Sequence, residues 1–291
     1  MRNAFIDELV IHAAADPSVF LVVGDLGFSV IEPFIERFPD RFVNAGVAEQ
    51  DMMGLAAGLA SEGFHPFVYS IANFPLFRCA EQIRNDVDYH ELPVTVVAVG
   101  GGLAYGALGY SHHAVQDFGL VRLMPNMLIA APGDPMEVRA CTRYLLAHPG
   151  PSYLRLGKAG EPNLHAEVPV LEPGTWVQVV AGTRDSTVLT TGATLGLGRA
   201  WLERPEYAGY SLHSLPLWGL RHKGVQPAQV ARWRHVVTIE DHIADAGFGS
   251  WLAEACAGEI AGTRLEARAL SHDIFGKVGD QATLNGLGGL R

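Results

Sequence analysis

Short, wholly apolar runs alternate with stretches of helical period along this chain, and that alternation is the tightest constraint on its fold. Val19–Val23 carries no polar residue, and residues 92–99 place β-branched side chains on both faces of a strand. A strand with two apolar faces must be covered on both sides. Helices interleaved between such strands supply the cover in a mostly parallel sheet. The first series reads as a helix over 5–15, strand 19–23, a short strand at 42–43, a helix over 48–61, strand 65–69, a longer helix over 75–89, strands 92–99 and 127–130, helix 134–147 and strand 152–156. Residues 157–183 then change character, with Gly157, Gly160, Pro162, Pro169, Pro173 and Gly174 and room for one short strand. A second alternation follows: strands 186–191, 210–215, 235–240 and 265–269, with helices 194–204, 226–232 and 247–257. The expected architecture is α/β in two domains, each a mostly parallel sheet flanked by helices. Residues 1–165 form the first, 166–183 a linker and 184–291 the second, and the glycine-rich tail from Gly276 is expected to fray.

Composition narrows the function. Hydrophobic residues at 48% and charged residues at 18% describe a globular chain that can bury cores, so disorder is excluded. A net charge of -10 argues against nucleic acid and anionic membrane as main partners, while leaving room for a local basic pocket. Cys79, Cys141 and Cys256 are widely spaced and form no Cys-x-x-Cys, which speaks against a disulfide framework or a zinc site and for a reducing cytosol. The first residues show no apolar signal core, and no apolar run approaches the roughly 20 residues of a membrane span. The chain has no Gly-x-x-x-x-Gly-Lys phosphate loop, no Gly-x-Ser-x-Gly elbow and no His-Glu-x-x-His.

Four segments follow strands, where open parallel sheets place their ligands. In Asn44-Ala45-Gly46-Val47-Ala48-Glu49-Gln50-Asp51, Glu49 opens an apolar helix. It reads either as a favourable first-turn charge or as a buried carboxyl that binds a cofactor ring. The loop from Gly100 to His113 pairs glycines, which let backbone approach a ligand, with His112 and His113, suited to polar recognition or proton transfer. In Asn73-Phe74-Pro75-Leu76-Phe77-Arg78, Phe74 and Phe77 read as core or as a platform for a flat heterocycle. Arg155 sits inside an apolar strand and needs a partner, either an internal carboxylate or a substrate anion such as phosphate. Glu240-Asp241-His242 follows a strand of the second series and reads equally as a site or as a satisfied turn.

Taken in order, these motifs resemble the transketolases and deoxyxylulose-phosphate synthases. Phe42-Val43-Asn44-Ala45-Gly46-Val47-Ala48-Glu49-Gln50 is similar to the glutamate segment of that family, and Asp25-Leu26-Gly27 to its first strand-end motif. Glu81-Gln82-Ile83-Arg84-Asn85-Asp86, Ser111-His112-His113, Thr238-Ile239-Glu240-Asp241-His242 and Gly247-Phe248-Gly249 extend the resemblance over essentially the whole chain. The family has a diphosphate-binding, a pyrimidine-binding and a carboxy-terminal domain, and only the last two are matched. The diphosphate domain's Gly-Asp-Gly magnesium motif is absent, since Gly24-Asp25 is followed by Leu26 and Gly279-Asp280 by Gln281. The resemblance therefore implies a split enzyme: a separate diphosphate-binding subunit carrying the Mg2+ ligands, an α2β2 heterotetramer, and no activity from this chain alone. It implies thiamine diphosphate as cofactor, with Glu49 bonded to pyrimidine N1′ to favour the imino tautomer that deprotonates the thiazolium, followed by two-carbon ketol transfer between sugars. By the same resemblance, Phe74 or Phe77 would stack on the pyrimidine and Asp25 would support the cofactor region. His112 and His113 would contact substrate, and Arg155 would bind its phosphate. No metal ligand is expected on this chain.

Many transketolases carry an Asp and a Pro where this chain has Leu108 and Tyr110, which points to a modified or specialised sugar. Two other readings share the architecture: the β-subunit of a 2-oxoacid dehydrogenase, and a non-catalytic scaffold subunit. Gln50, the Ser-His-His loop and Arg155 favour the transketolase, and retention of Glu49 speaks against the scaffold. Gly54-Leu55-Ala56-Ala57-Gly58 gives the helix over 48–61 a small-residue face for close packing, expected at a subunit contact. Gly58→Leu should lower the oligomer mass in light scattering; an unaltered mass would remove that role.

Overall fold

The computed structural model describes residues 1–258 and 262–291. Its strands are β1 (Val19–Val23), β2 (Phe42–Asn44), β3 (His65–Ile71), β4 (Thr95–Val99), β5 (Leu128–Ala130), β6 (Ser152–Leu156), β7 (Val177–Val180), β8 (Ser186–Thr190), β9 (Ser211–Ser214), β10 (Leu217–Trp218), β11 (His235–Ile243) and β12 (Arg264–Leu270). Two sheets result. The seven-stranded sheet runs β10-β5-β6-β4-β3-β1-β2, and the five-stranded one runs β12-β11-β8-β9-β7. Among these strands only β10 on β5 and β7 on β9 pair antiparallel. The expected α/β class with mostly parallel sheets under helices is what the chain adopts.

Both faces of the larger sheet are dry, as its sequence requires. Successive side chains of a strand alternate between faces. Val22, Val68 and Val96 pack with Met52, Met53 and Ala56 of the helix Glu49–Ser61. Leu21, Phe67 and Val97 pack the other way, with Phe5 and Leu9 of the helix Arg2–Ala13 and Val138 and Cys141 of the helix Pro135–Ala147. The last of these starts cleanly because Pro135 occupies its first turn and the Asp134 carboxylate accepts from the Glu137 amide at 2.7 Å.

Several elements differ from expectation. The helix over 75–89 is broken into Phe74–Phe77, Ala80–Gln82 and a π-helical Ile83–Asp88, with Cys79 out of helical geometry at φ −112°, ψ 16°. The strand expected from residue 92 starts at Thr95, because Pro93 has no N–H to give a ladder. The tail does not fray: Asp280 caps a helix over Gln281–Leu287, and Leu284 and Leu290 are buried. Finally, Leu217–Trp218 leaves the second series and closes the β5 edge of the larger sheet, while Val177–Val180 of the linker segment joins the smaller sheet.

The fold positions a crevice. From β1 the chain passes to β2 on one side, and from β3 to β4 on the other. Connections that depart in opposite directions open a cleft at the carboxyl ends of the strands. The segments after β1, β2, β3 and β4 all gather at that edge. Among the described residues no helix is long and apolar enough to cross a membrane. Gly54 and Gly58 face open space on the outer side of their helix, with no atom within 4 Å of an added Cβ.

At the opposite end of β3, His65 is buried and hydrogen-bonded through Nε2 to Thr95 Oγ1 at 3.2 Å. Burial pushes its imidazole down to about 4. A depressed folded value means that its contribution is intact above pH 6.5 and is lost as the pH falls toward 4, by at most about 3 kcal/mol. Wild type should therefore lose stability to urea between about pH 6.5 and 5. His65→Gln, though less stable at pH 7, should lose less over that window; parallel slopes would count against the assignment.

Candidate active site

The carboxyl edge of the larger sheet carries a buried carboxylate at the base of an open recess. Asn44, the last residue of β2, clasps Asp25 at the end of β1: its Oδ1 accepts from the Asp25 amide and its Nδ2 donates to Asp25 Oδ1, each at 3.0 Å. Asn44 Oδ1 also accepts from the Gly46 amide at 2.9 Å. This turn, with Gly46 at φ +73°, delivers the chain to Glu49, the first residue of its helix. Glu49 is 4% exposed, and its Oε2 accepts from Arg78 Nη1 at 2.8 Å. The recess of about 460 Å³ above it is lined by Val47, Glu49, Gln50, Asp51 and Arg78.

Arg78 also forms the wall of a second recess, of about 360 Å³, with Asn73, Phe74, Phe77, Tyr110, His113 and Gln116. Its guanidinium lies over the Phe74 ring at 4.6 Å from the centroid, and His112 meets the same ring edge-on at 5.2 Å. Asn73 pins this segment to the glycine-rich loop, its Nδ2 donating to the His113 carbonyl at 2.7 Å. Burial, then the neighbouring His113, hold the His112 imidazole below its ordinary value, so it favours the neutral form. His113 is buried, and Nε2 lies 3.2 Å from the Gly106 carbonyl. Asn73 Oδ1 and His113 Nδ1 are buried without a hydrogen-bond partner among the described residues. Beneath, burial pushes the Cys79 thiol up to about 12, with the Glu49 charge adding to it, so this cysteine is no nucleophile.

Glu49, Phe74, Phe77, His112, His113 and Asp25 thus border one edge, with Phe77 and Asp25 at its exposed rim. Arg78 links Glu49 to the Phe74 ring, while Phe77 is 46% exposed. A buried carboxylate and an aromatic face linked by one guanidinium suit a flat heterocycle bearing a ring nitrogen. Among the described residues no group of three or more His, Cys, Asp or Glu side chains could hold a metal ion.

Arg155 is not available to a substrate phosphate, and that expectation is corrected. Its side chain is 2% exposed, with Nε on Asp117 Oδ2 at 2.7 Å, Nη1 on Asp241 Oδ1 at 2.5 Å and Nη2 on the Ala114 carbonyl at 2.7 Å. Tyr153 donates to the same Asp117 oxygen at 2.7 Å, and Phe118 stacks on the guanidinium at 4.4 Å. The internal-carboxylate alternative is the one the structure realises. Glu240-Asp241-His242 belongs to this junction rather than to a turn. Glu240 accepts from the Phe248 and Gly249 amides, and burial pushes its carboxyl up to about 8. The same cluster accounts for part of the glycine run. A Cβ on Gly101 would stand 2.6 Å from Arg155 Nε, one on Gly102 2.1 Å from Asp241 Oδ2, and one on Gly106 2.5 Å from Leu284. Those glycines admit protein atoms, not a ligand.

Arg78 was not singled out from sequence. The available signal was its isolation, since it is the only Lys or Arg between Arg41 and Arg84.

This geometry has counterparts in known proteins. Residues 1–161 match the family described as transketolase, pyrimidine binding domain. The chain is 30% identical to one of the subunits of the apulose-4-phosphate transketolase of Phocaeicola vulgatus, over 96% of this chain and 92% of that one. It is 31% identical to a 6-deoxy-6-sulfo-D-fructose transketolase subunit of a Clostridium species, over 96% of this chain and 87% of that one. Among solved structures, a split gene transketolase in an inactive β4 tetramer superposes with a TM-score of 0.84 at 30% identity, covering 99% of this chain and 93% of that one. The chain belongs to the transketolase family. Within it, the similarity runs nearly end to end with subunits of split transketolases.

The buried junction yields a stability test. Arg155→Met should cost on the order of 3–5 kcal/mol in urea unfolding, because it strands Asp117 and Asp241 without their cation. A loss below about 1 kcal/mol would show that the carboxylates do not depend on it.

Proposed function

We propose that this chain is the pyrimidine-binding subunit of a split, thiamine diphosphate-dependent transketolase, active with a separate diphosphate-binding subunit that carries the Mg2+ ligands. The observation that carries the reading is Glu49, a buried carboxylate opening a helix at the crevice edge beside an aromatic ring. When bound, thiamine diphosphate supplies the electron sink for breaking and making the bond to a two-carbon ketol unit. Glu49 would hold the ring through a hydrogen bond at pyrimidine N1′, and its buried setting would strengthen that bond. Phe74 would present a face to the ring, and the neutral His112 beside it would be placed to exchange a proton with a sugar hydroxyl. Asp25 and Asn44 fix the turn that aims Glu49.

Phe77, Leu108, Tyr110 and Val47 leave apolar surface exposed around the crevice, which suits coverage by a second polypeptide in an α2β2 assembly. Leu108 and Tyr110 also bring no acidic group to sugar hydroxyls, which supports a modified or specialised sugar as substrate. The related subunit named for a sulfo-sugar is consistent with that choice.

Co-expression with the partner, followed by a ketose and aldose screen with thiamine diphosphate, should give two-carbon transfer. Acyl transfer from 2-oxoacids in its place, or no turnover, would overturn the reading. In the same assembly Glu49→Gln should slow exchange of the thiazolium C2 proton by about 100-fold or more while oligomer mass and circular dichroism are unchanged. Exchange at the wild-type rate would remove Glu49 from the chemistry.

A further inference from the structure

One side chain fills both of the contacts assigned to the cofactor ring. The Arg78 guanidinium bonds Glu49 Oε2 at 2.8 Å and covers Phe74 at 4.6 Å from its centroid. We propose that Arg78 is a positioning residue that stands in for the pyrimidine ring, holding Glu49 and Phe74 until the cofactor displaces it; this rests on the functional reading above.

The chemistry of the two occupants matches. A guanidinium is flat, donates hydrogen bonds in its plane and stacks on aromatic faces. An aminopyrimidine is flat and stacks in the same way, and its imino tautomer presents an in-plane ring N–H that can donate to a carboxylate. Glu49 explains why a stand-in is needed. A carboxylate that is 4% exposed is costly to leave unpaired, and among the described residues no other cation lines the recess. Arg78 explains why the stand-in can leave. Its side chain is 52% exposed, and among the described residues it makes no other hydrogen bond. Asp51 lines the same recess and offers the released cation a carboxylate near solvent. The helix break matters as well, because the short helix ends at Phe77 and Arg78 caps it just before the irregular Cys79, so its guanidinium is not tied into a continuous helix face.

Two occupants of one place compete. Cofactor binding is weakened by the fraction of molecules in which Arg78 is in place, as for any ligand that needs a minor conformer. Removing Arg78 should therefore tighten binding, whereas removing an ordinary binding residue loosens it. The test uses the enzyme assembled from this chain and its diphosphate-binding partner, with the dissociation constant for thiamine diphosphate read by isothermal titration calorimetry. Arg78→Ala should bind about five- to tenfold more tightly than wild type. Arg78→Gln keeps length and planarity without the charge, should also tighten binding, and serves if the alanine variant does not assemble. Wild-type binding with unchanged or weaker binding in the variants overturns the inference and leaves the functional reading standing. No binding by the wild-type assembly overturns that reading and this inference with it.

Discussion

Arg155 is the interaction on which the arrangement of this molecule depends. It rises from β6 in the larger sheet and meets Asp241 on β11 in the smaller one, with Asp117 held against it by Tyr153. All three charges are out of water. Such a cluster contributes less to net stability than its short distances suggest, because desolvation offsets much of the attraction. What it supplies is geometry. A planar fork with two carboxylates and a carbonyl fixes where the second sheet sits on the first. The glycine-rich loop then lies against that fork, and the tail helix lies against the loop. The positions of His112 and His113 are therefore set by a contact at the heart of the chain rather than by the loop itself.

The crevice edge is organised on the opposite principle. There the polar groups are incompletely matched. Asn73 Oδ1 and His113 Nδ1 lack partners among the described residues, and Glu49 relies on an arginine half in solvent. Incomplete satisfaction of buried polar groups is costly for a structural core and useful for a binding site, which must gain more from its ligand than from itself. A saturated junction behind and an unsaturated edge in front divide the work between holding shape and exchanging partners.

The sheets were legible in sequence because burial on both faces leaves a run such as Val19–Val23 with no polar residue at all. Their mostly parallel pairing was legible in the alternation with helices. The shortest strand was not legible. A two-residue strand, Leu217–Trp218, has no period to read, and its partner Ala130 lies far back in the chain. Break points were lost for a related reason: nothing in the sequence at Cys79, which is buried in the core, forbids a helix there. Glu49 could be placed in a first turn but not assigned as buried, since burial depends on the segment around Arg78. For Arg155 the two readings stayed open because its partners stand 38 and 86 residues away. The glycines after β4 carried a real signal, close approach, but not the identity of what approaches.

The edge strand β10 bears on how the chain comes into being. The larger sheet is built from residues before 157, except for this one strand that follows β7, β8 and β9. A ribosome makes these segments in order. While the later ones are still being synthesised, β5 presents an unpaired row of backbone groups, a template for another nascent chain. The first sheet is sealed only once the second has begun to assemble, so the two halves mature together although their helices and strands could be drawn apart.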